Sequence, residues 1–458
     1  MAKAKPDLSD GQHASAEGEA AEFAWPGWSV PAGWRQVVLG ELVRDVFSGG
    51  TPSTKRPEYW DGDVPWITSA YLGDALHVSE APRYISREGL ANSSARVVPA
   101  GSLLVGTRVG VGKVAVNLAD VAISQDLTGV VLDGSRADVR FVAYALRGDT
   151  AQQAFRQGCR GTTIKGIPRR ELLRIPVLLP PLPEQRAIAD VLGTVQGAIE
   201  ATERVIAAAR ELKRSLMRHL FTYGPVPPAE AERVRLKETE IGPLPEHWQV
   251  VRLGEMCERP QYGLTAAAAA AAPGPHLLRI TDIQGDRVEW AAVPRCPCEP
   301  DQAARYALRV GDLLVARIGA TTGKSYLVEE CPKQAVFGSY LIRIRCGPRL
   351  FPSFLKQFTQ SDRYWHQIDA FKGGKLKLGV NIPILQALML PLPTLDEQAE
   401  ISQTLQAVHG KIAAEEKRRA ALEALFRSLL RELMTGRVRV TPHPFALLRA
   451  GCPPNVGG

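Results

Sequence analysis

Few stretches of this sequence combine the residue types and spacing of a chemical site. Gly319-Ala-Thr-Thr-Gly323-Lys324-Ser325 comes nearest. A glycine turn followed by Lys and a hydroxyl is how a phosphate loop cradles anionic oxygens. That motif needs glycine at position 318, which is Ile, and Arg108-Val-Gly-Val-Gly112-Lys113 has Gly and Lys without the spacing. Both stretches read as turns between strands. Phe47-Ser-Gly-Gly50 has part of a cofactor loop's pattern, but no Asn/Asp-Pro-Pro-aromatic companion accompanies it; Pro-Pro follows only Leu179, Val226 and Cys452. No HExxH, GxSxG or CxxC is present, and Cys296 and Cys298 are too close in sequence for paired ligands of a tetrahedral zinc site. The 8 His are scattered singly. The expectation is a chain without catalytic residues, metal site or cofactor of its own.

At 458 residues, 45% apolar and 23% charged, the chain is long enough for two or three globular domains. The formal charge is +8, and the first 26 residues are acidic, so the positive surplus lies in the rest. A basic body admits a polyanionic partner without requiring one. Seven Cys, an odd count, do not suggest a disulfide framework. No signal peptide and no apolar run of membrane-spanning length occur, so a cytoplasmic protein without membrane contact is expected.

The elements that organise the chain are two long helices. Glu184 to Phe221 has no internal Pro and carries a heptad frame: Ile188, Val195, Thr202, Ala209, Leu216 on one seam and Leu192, Ile199, Ile206, Lys213, Leu220 on the other. Glu397 to Thr435 carries Ile401, Val408, Glu415, Leu422, Leu429 and Leu405, Ile412, Arg419, Phe426, Leu433, all at an offset of 213. Apolar residues 3.5 apart on average mark helices that lie along a long partner. The rest of the chain repeats too. Pro31 to Gly40 returns as Pro245 to Gly254, Gly101-Ser-Leu-Leu-Val105 as Gly311-Asp-Leu-Leu-Val315, Phe141 as Phe351, and Pro181-Leu-Pro-Glu184-Gln185 as Pro391 to Gln398. Residues 223–243, rich in Pro, Gly and charge, read as a linker, and 1–26 and 438–458 as loose tails. Two helices with a globular unit between them can pack antiparallel, relating the halves by a pseudo-twofold axis. A helix of 38 residues spans about 57 Å, and twofold readers of B-DNA place half-sites one helical turn, about 34 Å, apart.

Two further stretches carry a resemblance. Gly49 to Thr68 (GGTPSTKRPEYWDGDVPWIT) is similar to the start of a target recognition domain in the specificity subunit of type I restriction-modification systems. Gly161 to Gln185 (GTTIKGIPRRELLRIPVLLPPLPEQ) resembles its end, where a strand passes into the long helix. The resemblance covers about residues 27–437. It departs at Gln261 to Pro273, where an alanine run replaces the PEYW stretch. It implies an α+β protein with two α/β target recognition domains, at 27–180 and 244–392. A pair of long antiparallel helices, 181–222 and 393–437, would separate them as a coiled coil, in a tandem repeat with pseudo-twofold symmetry. Such a subunit does no chemistry. It binds a bipartite sequence in double-stranded DNA and docks two methyltransferase (M) subunits, which hold S-adenosylmethionine; restriction (R) subunits, which use ATP and Mg²⁺, join that complex. A DNA-recognition subunit of a two-chain enzyme and a scaffold without DNA are the alternatives.

Readout of DNA needs polar side chains at base edges and cations on phosphates. The first half offers Thr51, Ser53, Lys55, Arg56, Tyr59, Thr68, Ser69, Tyr71, Arg108, Lys113, Arg160, Thr162, Thr163 and Lys165; the second offers Arg279, Thr281, Arg317, Thr321, Lys324, Lys372, Lys375 and Lys377. Tyr59 and Trp60 also fit a core, the reading favoured for Trp60, and the Lys372 to Lys377 run fits either phosphates or a solvated hairpin. On the helices, Ile188, Leu192, Val195, Ile199, Ile206, Leu216, Ile401, Leu405, Val408, Ile412, Leu422 and Leu429 are expected to pair internally, with the flanks open to M-subunit helices.

Overall fold

The structure is a computed structural model, and it describes residues 30–161, 166–270, 272–372 and 379–440, Lys372 without its side chain. The chain forms two compact units. One comprises the residues up to Ala201 together with those from Arg419 on; the other is Thr202–Arg418. The long helices are Leu182–Tyr223 and Leu395–Met434, and each unit takes the start of one and the end of the other. The compact units therefore cut across both helices, where the sequence suggested boundaries at their starts.

In the first unit a five-stranded sheet runs Val43–Ser48, Leu127–Leu132, Leu103–Gly106, Val114–Asn117, His77–Val78. A four-stranded sheet runs Arg83–Ile85, Trp60–Ile67, Val121–Ile123, Arg96–Val98. Alternation along Leu103–Gly106 sends Leu103 and Val105 into a core with the helix Val139–Arg147, and Leu104 into a second core with Ile67, Ile123 and Leu127. The second unit repeats this: Leu313 and Val315 face one core and Leu314 another, in a sheet ordered Gln261–Tyr262, Leu341–Ile344, Leu313–Ala316, Ser325–Leu327.

The registers repeat as well. Arg35 faces Leu179 and Gln249 faces Leu392, both antiparallel; Ile67 faces Ile123 and Leu278 faces Phe337, both parallel. The structure corrects one alignment. Phe141 lies inside the helix Val139–Arg147, capped by Asp138, whereas Phe351 is itself the cap of Pro352–Phe358. The counterpart of Phe141 is the buried Phe354.

Each long helix is latched in the same way to the globular part, or head, of the unit in which it starts. Trp34 donates its indole N–H to Glu184 (3.2 Å), and Trp248 donates to Glu397 (3.0 Å). Buried Gln185 accepts from the Asp138 N–H (2.8 Å) and donates to the Arg136 and Pro180 carbonyls. Buried Gln398 accepts from the Phe351 N–H (2.9 Å) and donates to the Arg349 and Pro393 carbonyls. Within each unit the start of one helix shares a core with the end of the other: Ile188 and Leu192 with Leu429, Leu430 and Leu433, and Ile401 and Leu405 with Leu216, Met217 and Leu220. Past the helix ends, Gly224 (φ +82°) and Gly436 (φ +65°) turn the chain in the left-handed region beside Trp248 and Trp34.

Two segments are more ordered than the sequence suggested. The linker 223–243 holds the turn Pro228–Arg233, and its strand Leu236–Lys237 pairs with Leu244–Pro245. Lys237 donates to the Glu246 carbonyl (2.7 Å) and Arg363 to the Pro243 carbonyl (2.8 Å), which fastens the linker to the second unit. Of the tail at 438–458, Arg439 is anchored by Glu184 (2.7 and 2.9 Å) and the Ala32 carbonyl (2.9 Å); residues 441–458 and the tail 1–26 lie outside the described residues.

Candidate nucleic-acid interface

In the first head several chain reversals meet at one edge. The Leu127 N–H bonds to the Ser124 carbonyl (3.1 Å), which makes Gln125 and Asp126 the tip of a tight turn. The Asp126 carboxylate accepts from the Ser69 N–H (3.0 Å) and from the Ser69 and Ser124 hydroxyls. The Asp126 carbonyl accepts from the Thr107 N–H (2.8 Å), and the Thr107 carbonyl accepts from the Ile167 N–H (2.8 Å). Asp126 thus braces three strand ends, and Thr107 in turn holds Ile167 alongside. Gln125, at the exposed tip, accepts a hydrogen bond from the Thr51 hydroxyl. Backbones approach closely beneath: a Cβ at Gly49 would lie 2.1 Å from the Ser124 carbonyl oxygen.

The second head has the same edge with other side chains. Gly263 would place a Cβ 2.2 Å from the Gly338 carbonyl oxygen, and the Leu341 N–H bonds to that carbonyl (3.0 Å). The turn tip is here Ser339 and Tyr340, and Tyr340 is 54% exposed. Arg317 replaces Thr107: its N–H bonds to the Tyr340 carbonyl (3.0 Å), and its own carbonyl accepts from Val380 (2.8 Å). The phosphate-loop-like stretch is the neighbouring hairpin between Leu313–Ala316 and Ser325–Leu327, with Gly319 and Gly323 at positive φ.

Of the residues singled out in the sequence, Thr51, Ser53, Lys55, Arg56, Tyr71, Arg108, Lys113 and Arg160 are exposed, and Thr68 is half-buried. Tyr59 and Ser69 correct the sequence expectation: Tyr59 packs inward with the Arg56 guanidinium 5.4 Å from its ring centre, and Ser69 is consumed by Asp126. In the second head Thr281 and Lys324 are exposed and Thr321 is half-buried. Arg279 is exposed as well. Asp282 binds the Arg279 guanidinium (2.7 and 3.0 Å) and raises its pKa, and Arg317 is half-buried over the Tyr262 ring (4.7 Å). Thr162, Thr163, Lys165, Lys375, Lys377 and the Lys372 side chain lie outside the described residues.

Three exposed features escaped the sequence. Arg83 stacks on Trp60 (3.8 Å), because Trp66 pairs with Arg83 across the sheet. The turn tips Gln125 and Ser339-Tyr340 were also missed. Their signal is the shared apolar frame of Ile123 and Leu127 in one head and Phe337 and Leu341 in the other, 214 residues on.

On the helices, Ile188, Leu192, Ile199, Ile206, Ile401, Leu405 and Ile412 are buried, and Val195, Leu216, Val408, Leu422 and Leu429 half-buried. Lys213, on the seam of the first long helix, donates its ammonium to Gln360 of the second head (2.8 Å), and burial lowers its pKa. Nearby, Lys356 reaches Asp286 (2.8 Å) in a cavity of about 1060 Å³ that His409 and Lys417 also line; burial lowers the pKa of Lys356 as well.

Exposed hydroxyls, amides, cations and aromatics are the kinds of group with which proteins meet base edges and phosphates, and these edges carry all four. Residues 31–209 match the family described as the type I restriction modification DNA specificity domain. The type I restriction enzyme MjaVIII specificity subunit of Methanocaldococcus jannaschii is 22% identical over 424 residues, 90% of this chain and 95% of its own length. The EcoR124I/EcoR124II specificity subunit of Escherichia coli is 28% identical over 160 residues, 34% of this chain and 39% of its own. The S subunit of a type I restriction-modification system from M. genitalium shares the fold, with a TM-score of 0.59 at 16% identity, over 87% of this chain and 96% of that one. Among the described residues no helix is long and apolar enough to cross a membrane. The chain is thus similar at residues 31–209 to the type I restriction modification DNA specificity domain, and over most of its length to a type I restriction enzyme specificity subunit.

Proposed function

We propose that this chain is the non-catalytic DNA-recognition subunit of a type I restriction-modification complex and reads a bipartite target, one half with each head. The observation that carries this is the repeated scaffold with unlike edges: strand registers and helix latches recur at near-constant offsets, while Thr107, Gln125 and Asp126 give way to Arg317, Ser339 and Tyr340. Two copies of one frame with different polar rims suit two unequal half-sites. The long helices would pair antiparallel as a coiled coil about a pseudo-twofold axis, set the unread gap, and dock two methyltransferase subunits. Leu212 and Leu425, at equivalent positions, are 51% and 47% exposed and offer an apolar flank for such docking. S-adenosylmethionine would sit on the methyltransferase subunits, ATP and Mg²⁺ on restriction subunits, and the complex in the cytoplasm.

The test is a gel shift of the full chain with methyltransferase subunits on genomic fragments at rising salt. Sequence-selective retention that weakens with salt is expected. Alanine at Arg108 or Lys113 should lower the slope of log affinity against log salt by about one for each phosphate no longer neutralised. Binding that ignores sequence, or no binding, sinks the proposal.

A further inference from the structure

We infer that the two-residue turn tips are the specificity-determining elements of the two heads, and that Gln125 reads a base pair in one half-site through its amide. This rests on the DNA-recognition proposal. The tips occupy equivalent positions, Gln125-Asp126 on the turn closed by Ser124 and Leu127, and Ser339-Tyr340 on the turn closed by Gly338 and Leu341. Both turns are bolted to the scaffold at the same points: the backbone entering the tip to the strand before Thr68 or Arg279 (Ser124 N–H to Ile67, 3.0 Å; Gly338 N–H to Leu278, 2.9 Å), and the tip carbonyl to Thr107 or Arg317. These backbone bonds recur in both heads, while the side chains at the tip differ. A rigid mount with an interchangeable, outward-facing tip is how one fold can read two sequences.

The first tip divides its labour. Asp126 spends its carboxylate on Ser69 and Ser124 and fixes the turn, so it is a positioning residue. Gln125 is exposed, and the Thr51 hydroxyl holds its Oε1. A carbonyl oxygen has a second lone pair, and the amide NH₂ has two hydrogens. The oriented amide keeps an acceptor and a donor for the paired bonds that Gln forms with adenine N6 and N7 in the major groove. In the second head the exposed Tyr340 ring offers apolar contact, and the Ser339 and Tyr340 hydroxyls offer rotatable donor–acceptor groups instead of an amide, which suits a different base.

The experiment selects duplexes from a randomised pool with the full chain and methyltransferase subunits, comparing wild type, Gln125→Ala, Thr51→Ala and Tyr340→Ala. Loss of a bidentate base contact costs about tenfold or more in discrimination. Gln125→Ala should relax one base pair in one block by at least that factor, with the other block unchanged. Thr51→Ala should relax the same base pair by less, and Tyr340→Ala a base pair in the other block. Unchanged preferences, or uniform weakening at all sequences with Gln125→Ala and Thr51→Ala, overturn the assignment of the tips while leaving DNA recognition standing. A wild-type complex without sequence preference overturns both.

Discussion

The two heads solve one structural problem with different polar devices. Ser102 and Asp312 stand at the same point, each just before the central strand and each with its carbonyl accepting from the neighbouring strand (Asn117 N–H, 3.2 Å; Val328 N–H, 2.9 Å). In the first head the surroundings are neutral: Asn117 donates to the Val98, Pro99 and Ala119 carbonyls and accepts from the Ser102 N–H. In the second head Val328 takes the place of Asn117, and the buried Asp312 carboxylate is paired with Arg345 (2.7 Å) beside Arg343. The backbone frame and the helix latches thus recur in both heads, while the polar cores and rims differ. Equivalent positions should then respond alike where the frame is probed and differently where the devices are.

Asp312→Ala gives the largest expected difference. Removing one partner from a buried ion pair costs about 3–5 kcal/mol, because a charge is left without its mate. Ser102→Ala loses one hydroxyl bond to the Pro99 carbonyl, about 1 kcal/mol. Denaturant unfolding of each variant would expose the gap; equal losses would break the comparison. Next, Gln185→Ala and Gln398→Ala each leave three backbone groups without their side-chain partner, and each should cost about 3 kcal/mol. A loss at only one position would mean that the two latches are not equivalent. Gly49→Ala and Gly263→Ala should both destabilise by about 1–3 kcal/mol, since the added carbon meets a carbonyl oxygen in either head.

The smallest effect concerns pH. Burial disfavours the Glu397 carboxylate, but hydrogen bonds from Trp248, His247 and Thr394 outweigh it and hold its pKa below the ordinary value of 4.5. A carboxyl depressed on folding adds stability above its unfolded pKa, and that stability is lost as pH falls through the folded value. Thermal unfolding of Glu397→Gln should therefore show a flatter decline below about pH 4.5 than wild type. A parallel decline would mean that Glu397 does not contribute to acid sensitivity.

The long helices and the repeat were legible because their signals are local or periodic: seams at 3.5-residue spacing, and latch residues Glu184-Gln185 and Glu397-Gln398 at an offset of 213. The edges were legible only in part. Exposed Lys and Arg near turns could be named, but which of them face outward depends on strand order. Ser69 is captured by Asp126, 57 residues away, and Thr51 meets Gln125 across 74 residues. Lys213 fitted the heptad frame, yet it answers to Gln360, 147 residues off. Such contacts follow from tertiary packing, which no pattern within a helix or loop encodes.

Under the proposed function, two heads of one design read two separate DNA segments. Mapping the methylated positions left on a randomised duplex library by the full chain with methyltransferase subunits tests it most directly. Two blocks of fixed bases separated by a gap of constant length and free sequence are the predicted result. One contiguous block, or a gap whose sequence is itself selected, would contradict it.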